Sequence, residues 1–518
     1  METERKNAEE RLRLEERTVE VGGDFTLPDY LPEIRRILRA EATCVPGGEY
    51  FKDGRGEYAG AVAFTLIYQD GEGVVTAVPL DGDYGFALED AGAGRPLSRE
   101  DRVVAVSCRP KAPRRVTLKA RVLCRVSLVE EAALPAVSEL LPEGVREEGV
   151  EALMGRGYTR TLTSGDSGEL TLDLTLSAEG EEPLRVLWCR GRILGQQGTV
   201  GEGAARLSGE VEVTAFVTSG GLPFPLVGRA SFSEEIPLSR ARVGDSLLWD
   251  GVIHALEVTP REWEGGTELF VEVAYSLWCT VGGNRPISYV QDLFGTLCPL
   301  RAERTERVLY ASPEILTGEE TFRLSRKAEG EERECGAVLD TTARLSSVQL
   351  TSGRGGVTVS GEWEVEAILS SHEEGRLFPA RGCVPFSLEL PCGEGRGLSA
   401  DRVLVSAGDV FMTVDGETVA FSVETKCRAA ISRRETVQTV SRVLVGDGFE
   451  DDGSVAVYYP EEGDTLWRVA KEYGVSPAAV EQLAGIRAGE GMADHPKSLD
   501  GVSFVCIPQK PLANGEKP

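Results

Sequence analysis

Several stretches carry residue types that could do chemistry, and each is weighed by what surrounds it. Ser167 stands in Gly165-Asp166-Ser167-Gly168. Such a serine becomes a nucleophile when a histidine base and a buried aspartate are arranged around it. No histidine precedes Ser167, and Glu169 follows the motif, so a polar turn ahead of the strand Glu169–Leu176 is expected. The three histidines, His254, His372 and His495, lie far apart and share no metal-ligand spacing. His254 falls in the alternating run GVIHALEV, and His372 stands beside Glu373 and Glu374 in a polar loop. The glycine-rich stretch Gly393–Gly397 lacks the strand–turn–helix setting of a phosphate site, and no GxxxxGK[ST] pattern occurs. Asp447, Asp451 and Asp452 lack the spacing and terminal glutamate of a calcium loop. No carboxylate pair stands out for glycoside hydrolysis. The expectation is a protein without catalytic residues, metal or cofactor.

The 11 cysteines are odd in number, spread singly from Cys44 to Cys506, and form no CxxC pair. That argues against a disulfide framework or a structural zinc site. Three of them close long alternating strands: VTLKARVLC (Val116–Cys124), VEVAYSLWC (Val271–Cys279) and VAFSVETKC (Val419–Cys427). Every second residue lies on one face, and a cysteine there reads as a small inward-facing side chain. A glycine opens another strand in each copy, at Gly60, Gly209 and Gly361, with offsets of 149 and 152 residues. Two anchor strands at similar separation, three times over, mark an internal repeat.

The chain therefore divides as follows. A charged lead, 1–25, opens with Met1–Arg17 as a short helix or disordered stretch. Repeat one covers 26–130, entered through TLPDYLPEIRRILRAEA, with Ile34, Ile37 and Leu38 on one face of a short helix. A helical linker, 131–157, leads to repeat two at 158–300, and repeat three covers 305–440. An acidic glycine-rich linker, 441–454, joins a small C-terminal domain at 455–508, and 509–518 is a disordered tail. At 518 residues and 41% apolar composition, several cores are expected. A net charge of −28 disfavours nucleic acid and anionic membranes, which need clustered Lys and Arg. No run approaches 18 apolar residues, and the charged N-terminus has no signal-peptide core, so a cytoplasmic protein without membrane insertion is expected.

The C-terminal domain is the most specific stretch. Gly463 supplies a turn, and Asp464 is placed to cap a first helix with Leu466, Val469, Ala470 and Tyr473 on one face. Gly474 ends it, and Ser476-Pro477 starts a second helix whose Val480 and Leu483 point to the core. Phe504–Ile507 returns as a strand. GDTLW (Gly463–Trp467) followed by GVS (Gly474–Ser476) resembles a LysM domain. The resemblance implies a βααβ fold and a binding groove between the Gly463, Asp464, Thr465, Leu466 turn and the Leu483, Ala484, Gly485, Ile486 turn. The usual ligand is N-acetylglucosamine-containing glycan, such as peptidoglycan. Ala484 and Gly485 stand where that family often carries Asn, and a longer loop, Arg487–Asp500, follows. Tyr459, Trp467 and Tyr473 read as core residues; Trp467, about 100° round the helix from Leu466, becomes a candidate anchor for a partner surface if it is partly exposed.

Three acidic β-rich repeats behind an LPDYLPEI entry, followed by one LysM domain, resemble the SPOCS-domain sporulation proteins of endospore-forming bacteria. The fold expected is mainly β with some α: three SPOCS-like repeats and a small βααβ domain. The resemblance implies a non-catalytic spore-coat scaffold in the mother-cell cytoplasm, at the forespore surface. Its partners would be a SpoIVA-like morphogenetic ATPase and other coat proteins, with peptidoglycan glycan as the alternative.

Overall fold

The computed structural model describes residues 8–89, 94–179, 184–263, 266–353, 355–372, 376–392, 397–446, 456–484 and 497–508. The chain is mainly β, built from small three-stranded antiparallel sheets. Repeat one has β1 (Ala8–Thr26), β2 (Arg36–Lys52), β3 (Arg55–Gln69), β4 (Val75–Leu88), β5 (Arg95–Ala112) and β6 (Arg115–Ala133). A single helical turn, α1 (Val137–Leu140), precedes repeat two. That repeat has β7 (Val150–Glu179), β8 (Arg185–Gly201), β9 (Ala204–Thr218), β10 (Phe224–Pro237), β11 (Ser246–Trp263) and β12 (Gly266–Gly295). Repeat three has β13 (Leu300–Lys327), β14 (Cys335–Ser352), β15 (Gly356–Ser371), β16 (Leu377–Pro391), β17 (Leu398–Asp415) and β18 (Thr418–Val445).

Each repeat makes two sheets of the same topology. The first strand pairs with the sixth, which pairs with the fifth: β1-β6-β5, β7-β12-β11 and β13-β18-β17. The second, third and fourth strands form a meander beside it: β2-β3-β4, β8-β9-β10 and β14-β15-β16. One core fills the space between the two sheets of each repeat. The alternating faces of the sixth strands line it as expected: Val116 to Cys124, Val271 to Cys279 and Val419 to Cys427 are at most 1% exposed at every second position. The repeated glycines have a steric reason. A side chain at Gly60, Gly209 or Gly361 would meet the ring across the sheet, Tyr84, Phe232 or Phe386, at 2.6, 3.0 and 2.8 Å. The aromatic ring covers the bare backbone of the neighbouring strand.

Three expectations change. The charged lead is β1 from Ala8, and its partner supplies the reason. In β6, Arg125 pairs with Glu16 at 2.5 Å, Lys119 pairs with Glu20 at 3.0 Å, and the Thr117 hydroxyl donates to Asp24 at 2.6 Å. Charge matching across the strands and alternation together outweigh local helix propensity. The entry segment is not helical: β2 begins at Arg36, and Ile34, Ile37 and Leu38 pack into the sheets. The linker is helical over one turn only, because β6 runs on to Ala133 and β7 starts at Val150.

The repeats close on one another cyclically. β2 meets β11, β14 meets β5, and Arg192 in β8 donates to the Gly408 carbonyl in β17 at 3.0 Å. At the centre the same β-bulge recurs in β2, β8 and β14, just before Arg39, Trp188 and Asp340. These three residues pair with Ile67, Phe216 and Ile368, so they occupy one equivalent position. Asp340, with a side chain 0% exposed, takes Arg39 at 2.5 Å and Arg190 at 2.6 Å, so one carboxylate ties the three repeats together. Leu38, Ile67, Leu187, Trp188, Phe216, Ile368 and Leu377 form one apolar cluster drawn from all three repeats.

The C-terminal module runs strand, helix, helix, strand: β19 (Ala456–Tyr458), α2 (Leu466–Tyr473), α3 (Pro477–Ala484) and β20 (Val505–Ile507), with β19 antiparallel to β20.

Candidate functional site

The turn before α2 is built by the residues singled out above, in different roles. Gly463 has φ +87°, a conformation that glycine adopts without strain. Its N–H donates to Asp500 Oδ1 at 3.0 Å. Thr465, rather than Asp464, caps α2: its hydroxyl accepts from the Arg468 N–H at 3.2 Å. Asp464 is drawn back into the turn. It accepts from the Tyr458 hydroxyl at 2.6 Å and the Glu461 N–H at 2.9 Å, and pairs with Arg468 at 2.8 Å. The Tyr458 bond, the Glu461 N–H and Arg468 hold its carboxyl below the ordinary range. Leu466, Val469 and Ala470 are buried with Val475, Val480, Leu499, Val505 and Ile507. Gly474 ends α2 in the left-handed region, φ +59°, as the sequence predicts. Pro477 opens α3.

Trp467 and Lys471 lie one turn apart on α2 and face the end of β12. The Trp467 indole N–H donates to Asp292 Oδ2 at 2.9 Å, and Lys471 donates to both Asp292 oxygens at 2.7 and 2.8 Å. Arg304 in β13 pairs with the same carboxylate at 2.5 Å. Burial pushes the Asp292 carboxyl up, but Lys471, Trp467 and Arg304 outweigh it and hold it below the ordinary range. Phe294, two residues on, sits edge-on to Trp467 at 5.0 Å and belongs to the module's own core. The sequence shows no sign of this contact, because Asp292 and Trp467 are 175 residues apart.

The remaining site residues divide. Leu483 and Tyr459 are not in the core as expected but 56% and 71% exposed. Gly463 is exposed, Thr465 is partly so, and Leu466 is buried. Ala484 ends α3. Gly485, Ile486 and the loop through His495 lie outside the described residues, as do Glu373, Glu374, Asp447, Asp451, Asp452 and the tail.

Elsewhere, Ser167 lies in a bulge inside β7 rather than in a turn before a strand. Its hydroxyl accepts the Leu277 N–H at 3.0 Å. His254 Nε2 lies 2.5 Å from Ser276 Oγ, but its Nδ1 is buried without a partner. A general base would need that nitrogen oriented by a third group. Burial lowers the His254 pKa. His254 lines a cavity of about 900 Å³ between the repeats, together with Glu41, Arg190, Arg344 and Glu366. Burial raises the recurrent thiols, Cys279 and Cys427 to about 12, so they are poor nucleophiles. Among the described residues, no cluster of three or more His, Cys, Asp or Glu could hold a metal, and no helix is long and apolar enough to cross a membrane. No protein-family model matches the chain, nor does any curated protein or solved structure.

Proposed function

We propose that this chain is a non-catalytic scaffold and adaptor of the spore coat, with SPOCS-like repeats as its body and a LysM domain as its docking module. In domain order it resembles SipL, the protein that binds the coat ATPase SpoIVA. The observation that carries the reading is the strand–helix–helix–strand module whose turn is built by Gly463, Asp464 and Thr465 and whose first helix stops at Gly474. A body of three topologically equivalent repeats, tied by ion pairs, suits a spacer that holds such a module in place. The partner is a SpoIVA-like morphogenetic ATPase on the mother-cell side of the forespore. Leu483, Gly463 and Thr465 are accessible residues of the two turns that the resemblance assigns to a binding groove. Ala484 and Gly485 in place of the family's Asn favour a protein partner over a glycan.

The test is capture of the full chain by immobilised ATPase or by purified peptidoglycan. Capture by the ATPase, lost in Leu483→Asp, is expected. Capture by peptidoglycan alone would replace the adaptor with the glycan-binding alternative. That result would also reopen the cytoplasmic assignment.

A further inference from the structure

The contact at Asp292 has the composition of a latch. Its carboxylate is 4% exposed, yet the two cations that meet it are partly open to water, Lys471 at 33% and Arg304 at 45%. If α2 moves away, Asp292 keeps Arg304 at 2.5 Å and the Leu293 N–H at 2.9 Å. The charge is therefore never orphaned, and the heavy cost of an unpaired buried ion is avoided on opening. Phe294 works differently. It is 3% exposed and fills a place in the module's core, so opening uncovers both Phe294 and Trp467. Water can replace the Lys471 bonds, but not the apolar contact between the two rings.

We infer that Asp292 and Phe294 latch the C-terminal module onto repeat two, and that the closed latch keeps the Trp467 face of α2 from any partner. The partner half of this inference rests on the adaptor reading; the latch itself does not. A partner that takes the Trp467 face competes with repeat two, so the docked chain binds below the module's full affinity. Leu483 and the Gly463 turn stay accessible in the closed form and serve first contact.

Hydrogen exchange on the full chain tests the latch without a partner. Asp292→Ala, and Lys471→Ala from the other side, should raise exchange of the Leu466–Tyr473 amides about tenfold, the scale of a lost charge-assisted bond. Exchange in the Val271–Cys279 strand should not change. Unchanged α2 exchange in both variants would overturn the latch. Lys471→Ala leaves repeat two intact, so it guards against a misfolded Asp292 variant. Binding of the ATPase then tests the competition. Affinity several-fold higher in the opened variants supports it, whereas equal or lower affinity overturns it. If no variant binds the ATPase while α2 exchange rises, the adaptor reading fails and the latch stands.

Discussion

Two of the buried carboxylates that join parts of this molecule do so on different terms. Asp340 joins the three repeats, and Asp292 joins the repeats to the C-terminal module. Each takes two cations from two other parts of the chain. Arg39 at Asp340 is 1% exposed and pairs also with Glu41 at 2.9 Å, while Arg190, the second cation there, is 35% exposed. Both cations at Asp292 reach water. The lesson is that enclosure of the partner, more than burial of the carboxylate, decides whether a joint is permanent or can open. Breaking the enclosed joint takes a partner from Arg39, which water barely reaches and which then relies on Glu41, whereas the open joint exchanges one polar partner for water.

The largest effect should come from Asp340→Ala, which takes the shared carboxylate from Arg39 and Arg190 at once and leaves the buried Arg39 with Glu41, at 2.9 Å. Chemical denaturation should show a loss of about 2–3 kcal/mol, the scale of a lost hydrogen bond to a charged group. A loss below about 1 kcal/mol would mean that the central ion pairs do not tie the repeats. Gly361→Val should come next, at about 1–3 kcal/mol, because the new side chain collides with the Ser347 carbonyl and with the Phe386 ring at 2.8 Å. In the module, Gly474→Ala should cost about 1–2 kcal/mol of local stability, since only glycine adopts φ +59° freely. Its effect should appear in module exchange rates and leave repeat unfolding in place.

Asp292→Ala should move the unfolding midpoint of the repeats by less than about 1 kcal/mol, because partly exposed ion pairs contribute little. A loss matching that of Asp340→Ala would erase the distinction between the joints. Acid sharpens the same point. The folded Asp292 carboxyl lies below its ordinary 3.8, so its contribution is complete above that value and fades as pH falls through the depressed folded value. Exchange of α2 should therefore rise in that acid range. Molar salt should loosen α2 modestly at neutral pH and leave the Arg39–Asp340 pair unchanged, because screening reaches only water-facing charges.

The sequence by itself determined the strands of the repeats and the shape of the module. Period-two alternation placed Val116, Val271 and Val419 on inward faces, and Gly60, Gly209 and Gly361 marked the copies, because both signals are local. Gly474 and Pro477 likewise announced helix ends through their own backbone geometry. Only the tertiary structure decided that Met1–Arg17 holds part of a strand, since the partner that satisfies its charges begins a hundred residues later. It also decided that Arg39, Trp188 and Asp340 share one bulged position, because a bulge needs a neighbouring strand to exist. Asp292 read as one acid among many. Its role depends on Arg304, Trp467 and Lys471 arriving from elsewhere in the chain, and the electrostatics of a joint belong to that meeting.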